Sequence, residues 1–235
     1  MYEVRNISFS YKSERTLRDV SFVVSPGEFV ALVGPNGAGK TTLLKVLAGL
    51  CAPSSGVILH DGQNVSVNPE RYRRQIGYLP ERMALHEDMK VKDYLSYRAV
   101  IKGEMPRRIR RRVEEALEMC LLRDYSKSRI GELSCGLQKR VALADAILLR
   151  PRVLMLDDLL SGLDCSMRNS MGEIMRSAAS FSSVIVSGHE IADLAEWASS
   201  FLVLSRGIVS SVIPAAGVDA STLVERVNEA IREVV

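Results

Sequence analysis

The sequence predicts an α/β fold, in which a mostly parallel sheet is interrupted by an inserted run of helices. Short β-rich runs open the chain, and the third of them, residues 29–33, is a continuous apolar run that ends at a glycine-rich loop. Such a run is typical of a strand that is buried on both faces in a parallel sheet. Between residues 80 and 150 the pattern changes to helical periodicity, and strands resume after it.

The predicted elements follow one another in a simple order. Before the glycine-rich loop, we expect strands at residues 3–8, 19–24 and 29–33, and after it a helix at residues 42–50. Further strands are expected at residues 57–60, 76–79, 153–156, 184–187 and 201–204. Helices are expected at residues 91–102, 106–122, 136–149 and 218–235.

Composition and charge narrow the class of protein. The 235 residues, 47% hydrophobic and 25% charged, suit an ordinary globular protein. The net charge of +3 is too small to indicate nucleic-acid binding. We interpret the basic run at residues 107–112 as a solvated helix face, with a nucleic-acid or membrane surface as the alternative. Ion pairs are expected one helical turn apart, between Arg110 and Glu114 and between Arg111 and Glu115.

The sequence also bears on location. No apolar run reaches the ~18 to 20 residues that a membrane span requires, and the first residues lack the pattern of a secretion signal. The four cysteines form no CxxC pair, so we interpret them chiefly as reduced thiols. We therefore expect a cytoplasmic location.

The glycine-rich loop matches the phosphate-binding pattern G-x-x-x-x-G-K-[ST], between an apolar strand and a helix. Glycines allow backbone N–H groups to surround a phosphate, and the helix N-terminus adds partial positive charge. Lys40 is predicted to reach the β- and γ-phosphates, and Thr41 to bind Mg²⁺. The sequence therefore predicts an ATP site formed by Gly34, Pro35, Asn36, Gly37, Ala38, Gly39, Lys40, Thr41 and Thr42.

Two carboxylates follow the predicted strand at residues 153–156. Ligands of open α/β sheets bind at the carboxyl ends of the strands, which is where these carboxylates are placed. We expect Asp157 to hold Mg²⁺ through a water molecule and Asp158 to face the water that attacks ATP. The alternative for Asp158 is a role as a helix cap.

With these motifs in order, the sequence resembles the nucleotide-binding subunits of ATP-binding-cassette (ABC) transporters from about residue 2 to residue 213. Tyr11 resembles the family's adenine-stacking aromatic residue, ahead of its first antiparallel strands. Glu81 lies in a segment that resembles the family's loop that enters the helical subdomain and senses the γ-phosphate, and it is expected to be both a metal ligand and a catalytic residue. His189 resembles the catalytic switch histidine.

Two further motifs complete the resemblance. The family signature, which contacts the partner's ATP, is similar to Ser134, Cys135, Gly136 and Leu137. The dimer loop is similar to Ser161, Gly162, Leu163 and Asp164. The resemblance implies a single ABC ATPase domain at 1–235. It would have a P-loop NTPase (RecA-like) core with an antiparallel β part at 1–80 and 151–218, a helical subdomain at 81–150, and a C-terminal helix at 219–235.

The resemblance also implies a mechanism and partners. Two cassettes pair head to tail as a homodimer or heterodimer, each ATP lies between them, and hydrolysis drives integral membrane subunits from the cytoplasmic face of the membrane. No nucleic-acid partner is expected. The alternatives are a regulatory cassette that binds ATP but scarcely hydrolyses it, and a soluble cassette that acts on DNA or ribosomes.

Several motifs depart from the family pattern. Asp158 replaces a glutamate, which retracts the carboxylate by about 1.5 Å. Because a misplacement of ~1 Å can cost ~100-fold in rate, we expect slow hydrolysis. Glu81 replaces a glutamine and adds negative charge; it is also a candidate for the base function that Asp158 is too short to perform. Cys135 replaces a glycine, at a cost of ~1 to 2 kcal/mol if that position requires a left-handed backbone. In addition, Leu137 replaces a glutamine, and Asp164 is followed by cysteine instead of proline.

Overall fold

The computed structural model describes residues 1–12 and 14–233, which fold into two sheets and eight α-helices. The strands are β1 (Tyr2–Tyr11), β2 (Glu14–Val24), β3 (Phe29–Val33), β4 (Ser55–His60), β5 (Gln63–Asn64), β6 (Ile76–Leu79), β7 (Val153–Asp157), β8 (Ser183–Ser187), β9 (Ser200–Ser205) and β10 (Ile208–Pro214). The helices are α1 (Lys40–Leu47), α2 (Pro69–Arg73), α3 (Val91–Ile101), α4 (Pro106–Met119), α5 (Cys135–Ile147), α6 (Cys165–Ala179), α7 (Ile191–Ala195) and α8 (Ala220–Arg232). A 3₁₀ turn at Ile130–Glu132 precedes α5.

The two sheets differ in strand direction. The first is antiparallel, with four strands in the order β2-β1-β4-β5. The second has six strands in the order β10-β9-β3-β8-β7-β6, and every neighbouring pair is parallel except β10 with β9. The predicted α/β fold class, with a mostly parallel sheet, an antiparallel N-terminal part and inserted helices, is confirmed.

The central strand β3 is buried on both faces, as its continuous apolar sequence predicts. Its alternate residues enter two different cores, because successive side chains of a strand point to opposite faces. Phe29, Ala31 and Val33 pack in the core that includes helices α3 to α8. Val30 and Leu32 pack in the core shared with the antiparallel sheet and α1. This arrangement fixes the loop after β3 between the two cores.

Besides the short elements β5, α2 and α7, two longer elements were not predicted from the sequence. The first is α6, whose buried residues Met171, Ile174, Met175 and Ala178 do have helical spacing; glycine and serines among them obscured this signal. The second is β10, an edge strand whose residues alternate between exposed and partly buried. It forms because β9 offers a partner, which a local pattern does not reveal.

Some helix limits and ion pairs also differ from the predictions. Helix α4 ends at Met119 instead of residue 122, because Leu121 has a left-handed backbone (φ 55°). Arg111 pairs with Glu115 at 2.7 Å as predicted, whereas Arg110 makes no direct ion pair with Glu114. Glu114 instead contacts Lys92 of α3, at 2.6 Å. The hydrogen bond from Lys92 lowers the pKa of Glu114, and Arg110 contributes to this shift only through its charge. Helix α8 ends at Arg232, and the last two residues of its predicted range lie outside the described residues.

No helix within residues 1–12 and 14–233 combines the length and the hydrophobicity needed to cross a bilayer.

Candidate functional site

The glycine-rich loop joins β3 to α1, and three of its glycines have positive φ angles. The angles are 148° at Gly34, 78° at Gly37 and 104° at Gly39. At Gly34, a Cβ atom would lie 1.9 Å from the backbone oxygen of Leu204 in the neighbouring strand β9. Only glycine therefore fits at the start of this loop, for reasons of both backbone conformation and space.

Lys40 is the first residue of α1, and its ammonium group folds back over the loop. Its Nζ donates hydrogen bonds to the backbone oxygens of Gly34 (2.7 Å) and Pro35 (3.0 Å). Burial lowers the pKa of Lys40, while the charges of Asp158 and Asp157 oppose that shift. The ammonium group thus lies within the field of both carboxylates.

Asp157 ends β7 and is almost fully buried. Its Oδ1 accepts hydrogen bonds from Thr41 Oγ1 (3.1 Å) and from Ser187 Oγ (2.7 Å). Its Oδ2 is also buried, and it has no hydrogen-bond partner in the part of the chain that the structure describes. A buried carboxylate oxygen without a partner is costly, so this atom is a strong candidate to contact a ligand.

Asp158 follows directly and has a left-handed backbone, with φ 51°. Its amide N–H is shared between the backbone oxygen of Ser187 (3.1 Å) and the hydroxyl of the same residue (3.0 Å). Its Oδ1 atom is buried and, among the described residues, has no hydrogen-bond partner. Two neighbouring carboxylates therefore each present one unsatisfied oxygen.

The two carboxylates and the glycine-rich loop open into one cavity of about 450 Å³. It also receives residues from three distant parts of the sequence, which confirms that the fold brings them together, although their roles remain predictions. The lining residues predicted from the sequence are Tyr11, Asn36, Gly37, Ala38, Gly39, Lys40, Thr41, Thr42, Glu81, Asp157, Asp158 and His189. Thr16 and Ser187 also line the cavity but were not predicted as site residues.

The side chains at the rim of this cavity are exposed. Tyr11 is 46% exposed and meets Phe9 edge to face, with 4.8 Å between ring centroids. An exposed aromatic ring held by such a contact offers a flat surface for a base. Glu81 and His189 are exposed on the same cavity. All three are accessible to a ligand bound over the loop.

The residues predicted as the signature lie at the start of α5, and none of them lines the cavity. Ser134 is the N-cap and accepts a hydrogen bond from the backbone N–H of Leu137 (3.4 Å). Cys135 is exposed and begins the helix without a positive φ angle. The sequence allowed for backbone strain at Cys135; the structure shows none, because the residue is helical. Gly136 is buried, and a Cβ atom there would lie 2.8 Å from Cε of Met167.

The residues predicted as the dimer loop lie beside the signature. Ser161 and Gly162 are exposed, Leu163 is buried, and Asp164 caps α6 by accepting a hydrogen bond from the backbone N–H of Met167 (2.8 Å). Lys139 of α5 donates hydrogen bonds to the backbone oxygens of Leu159 and Ser161. The N-termini of α5 and α6 thus form a single surface, separate from the cavity.

The cavity offers oxygen atoms of the kind that bind Mg²⁺. Within residues 1–12 and 14–233, no group of three or more His, Cys, Asp or Glu side chains is arranged as a metal site. Asp157, Asp158 and the Thr41 hydroxyl nevertheless supply hard oxygen atoms, two of them buried and unsatisfied. Mg²⁺ is usually held by one or two carboxylates together with substrate phosphates instead of an all-protein cage. The residues present fit Mg²⁺ bound with a nucleotide.

Sequence comparison relates the chain to proteins of ABC transporters. A family model described as ABC transporter matches residues 17–161. The chain is 34% identical over 210 residues to the uncharacterized ABC transporter ATP-binding protein YxlF of Bacillus subtilis (strain 168), an alignment covering 89% of this chain and 70% of that protein. It is 36% identical over 217 residues to the sulfate/thiosulfate import ATP-binding protein CysA of Methylococcus capsulatus, covering 89% of this chain and 62% of that protein.

Structural comparison agrees with the sequence comparison. The structure of an ATP-binding subunit of an ABC transporter superposes with a TM-score of 0.83 at 30% identity, covering 97% of this chain and 99% of that chain. The dimeric structure of MJ0796, a bacterial ABC transporter cassette, superposes with a TM-score of 0.82 at 25% identity, covering 92% of this chain and 100% of that chain.

Proposed function

The chain belongs to the ABC transporter family of ATP-binding proteins, and we propose that it hydrolyses Mg²⁺-ATP to drive a membrane transporter. The observation that carries the proposal is the cavity, which gathers the phosphate-binding loop, both carboxylates, Glu81 and His189. These residues come from four separate parts of the sequence, and together they supply what phosphoryl transfer requires: a phosphate cradle, positive charge and carboxylates.

We assign each group in the cavity a role in ATP binding. The loop at residues 34–42 surrounds the phosphates with backbone N–H groups, and Lys40 exchanges its backbone acceptors for phosphate oxygens. The exposed ring of Tyr11 stacks on the adenine. Thr41, Asp157 and Glu81 hold Mg²⁺, which when bound neutralises charge on the phosphate oxygens.

Hydrolysis is assigned to the carboxylate that follows the Mg²⁺ ligand. In this proposal Asp158 orients the attacking water with its unsatisfied Oδ1, and His189 and Glu81 act from the exposed side of the cavity. Because the Asp158 side chain is one methylene shorter than glutamate, we propose slow hydrolysis. A regulatory cassette that binds ATP but scarcely hydrolyses it is the second candidate, and it is favoured by the altered residues Asp158, Glu81 and Cys135.

The proposed assembly of two chains is based on the distance between the signature and the cavity within one chain. One chain offers a phosphate-binding cavity on one surface and the Ser134–Gly136 segment on another, so each is free to meet its counterpart on a second cassette. We propose a head-to-tail dimer, homo- or heteromeric, at the cytoplasmic face of a membrane with integral membrane subunits as partners. The segment at 81–150, which contains α3 to α5, acts as the helical subdomain between the core at 1–80 and 151–218 and those subunits.

The proposal is tested by ATP binding and turnover of the purified protein, alone and with its membrane partner. We expect Mg²⁺-dependent release of phosphate at a rate below the ~10 s⁻¹ that is typical of enzymes. Lys40→Ala is the matched control and should weaken ATP binding by roughly 10- to 100-fold, since it removes a charged hydrogen-bond donor. ATP binding without Mg²⁺-dependent turnover would favour the regulatory candidate, and no ATP binding would refute both.

A further inference from the structure

Ser187 is the last residue of β8, lies 1% exposed, and contacts both carboxylates of the cavity. Its hydroxyl donates a hydrogen bond to Asp157 Oδ1 at 2.7 Å. The same hydroxyl accepts a hydrogen bond from the amide of Asp158 at 3.0 Å. One small side chain therefore connects the side chain of one acidic residue to the backbone of the next.

The contact to Asp157 determines which of its oxygens is free. Both hydroxyl donors, Thr41 and Ser187, bind Oδ1, so Oδ2 is left buried and, in the described chain, without a partner. If one of the two hydroxyls were absent, the carboxylate of Asp157 would rotate more freely about its Cβ–Cγ bond. A carboxylate that binds a metal needs this kind of orientation from a supporting group.

The contact to Asp158 supports a strained backbone. A left-handed φ angle is uncommon outside glycine, and such residues persist at functional sites where the surroundings fix them. At Asp158, with φ 51°, the N–H group is held by two acceptors that both belong to Ser187, one on the backbone and one on the side chain. The hydroxyl therefore helps to set the direction in which the Asp158 side chain leaves the strand.

We propose that Ser187 is a positioning residue for both carboxylates, an inference that rests on the proposed hydrolysis of ATP. It acts through Asp157 on the site for Mg²⁺, and through Asp158 on the residue assigned to the attacking water. Ser187 itself makes no contact with ATP in this proposal. Its role is to present one free oxygen of each carboxylate to the cavity.

A second serine on the same strand, Ser183, serves as a control that distinguishes a positioning role of the Ser187 hydroxyl from a purely structural one. Ser183 lies on the same face of β8 as Ser187 and is also buried, at 6% exposed. Its hydroxyl donates one hydrogen bond, to the backbone oxygen of Ser25 at 2.9 Å, and Ser183 does not line the cavity. Ser183→Ala therefore removes a buried hydroxyl from β8 without touching either carboxylate.

The experiment compares Ser187→Ala with Ser183→Ala in the full chain. We expect Ser187→Ala to lower kcat for Mg²⁺-ATP by about 10- to 100-fold, the range found when supporting groups of metal ligands are removed. Ser183→Ala should keep kcat within about twofold of the wild type, because the Ser183 hydroxyl contacts neither carboxylate and does not line the cavity. Thermal unfolding should show that both variants stay folded at the assay temperature, with the larger loss of stability in Ser187→Ala, because its hydroxyl makes two hydrogen bonds and one of them is to a buried carboxylate.

A second readout does not depend on turnover. In the wild type, Mg²⁺ should raise the affinity for adenylyl imidodiphosphate, a non-hydrolysable ATP analogue, and calorimetry with and without Mg²⁺ measures this increment. We expect the increment to shrink in Ser187→Ala and to remain in Ser183→Ala. If the wild type turns over ATP and the two variants behave alike in either readout, the proposal is overturned. If the wild type shows no turnover, the proposed hydrolysis fails and the Mg²⁺ increment alone decides the role of Ser187.

Discussion

At the scale of single residues, Asp158 combines a short side chain with a left-handed backbone. Aspartate is several-fold enriched among non-glycine residues with positive φ, whereas longer side chains are less common there. Its φ of 51° is therefore more compatible with aspartate than with glutamate. The backbone at the end of β7 thus favours the residue that limits reach into the cavity.

The left-handed backbone favours aspartate, whereas reach into the cavity favours the longer glutamate, and this conflict leads to a prediction for Asp158→Glu. The added methylene extends the carboxylate by about 1.5 Å, and we expect turnover to rise by at least about tenfold, because rate depends steeply on such distances. Stability should fall by about 1 kcal/mol, since glutamate is less suited to a left-handed backbone. Phosphate release and thermal unfolding measure the two effects.

Asp158→Asn is the control for that prediction. Asparagine keeps the preference for a left-handed backbone but lacks the negative charge, so turnover should drop while stability is retained. A glutamate variant that is no faster than the wild type would show that reach does not limit the rate.

At the scale of elements, the N-termini of α5 and α6 and the turn after α7 depend on close packing. Gly136 of α5 lies against Met167, whose flexible end can move. Gly172 of α6 is more restricted, because a Cβ atom there would lie 2.2 Å from the indole ring of Trp197, which is 7% exposed. The indole ring is rigid, so α6 can approach the turn after α7 only if residue 172 is glycine.

The packing of α6 yields a prediction for Gly172→Ala. Alanine normally stabilises a helix interior by about 1 kcal/mol relative to glycine, whereas overpacking a core costs about 1 to 3 kcal/mol. We expect a net loss in the free energy of unfolding, measured by chemical denaturation. In a Trp197→Leu background the alanine should cost less, and additive effects in this double-mutant cycle would contradict the packing explanation.

At the scale of the whole molecule, the cavity and the signature occupy different surfaces. The cavity lies where β3, β7 and β8 end, and Ser134 and Cys135 are exposed at the start of α5. In the proposed head-to-tail dimer, the two copies exchange these surfaces reciprocally, as the symmetry of such a dimer requires. Each ATP site would then draw on two chains.

Mixed dimers test that arrangement. Lys40→Ala damages the cavity of its own chain, and Ser134→Glu places a negative charge on the surface that we propose to meet the partner's ATP. Each variant alone should be inactive. An equal mixture should recover about a quarter of wild-type turnover, because half of the dimers are mixed and each of these retains one intact site. Failure of the mixture to recover activity in a phosphate-release assay would contradict reciprocal sites.

Much of the fold and of the candidate site is predictable from local patterns. The glycine-rich loop requires positive φ angles, the buried strands require continuous apolar runs, and the acids follow directly after one such strand. Helix α6 and strand β10 were not predicted, because the first has an interrupted pattern and the second depends on a neighbouring strand. The direct ion pair expected between Arg110 and Glu114 is absent because Lys92, on another helix, makes it instead.

By itself, the sequence determined the chemical types in the cavity and their order along the chain, because these depend on residues next to one another. Only the tertiary structure decided how those groups are oriented. The strand order β3-β8-β7 brings Thr41 and Ser187 to Asp157 across 116 and 30 residues of sequence, which leaves one carboxylate oxygen free. The tertiary structure also gave Cys135 a helical backbone and Asp158 a left-handed one, since helix starts and strand ends are fixed by the elements that pack around them.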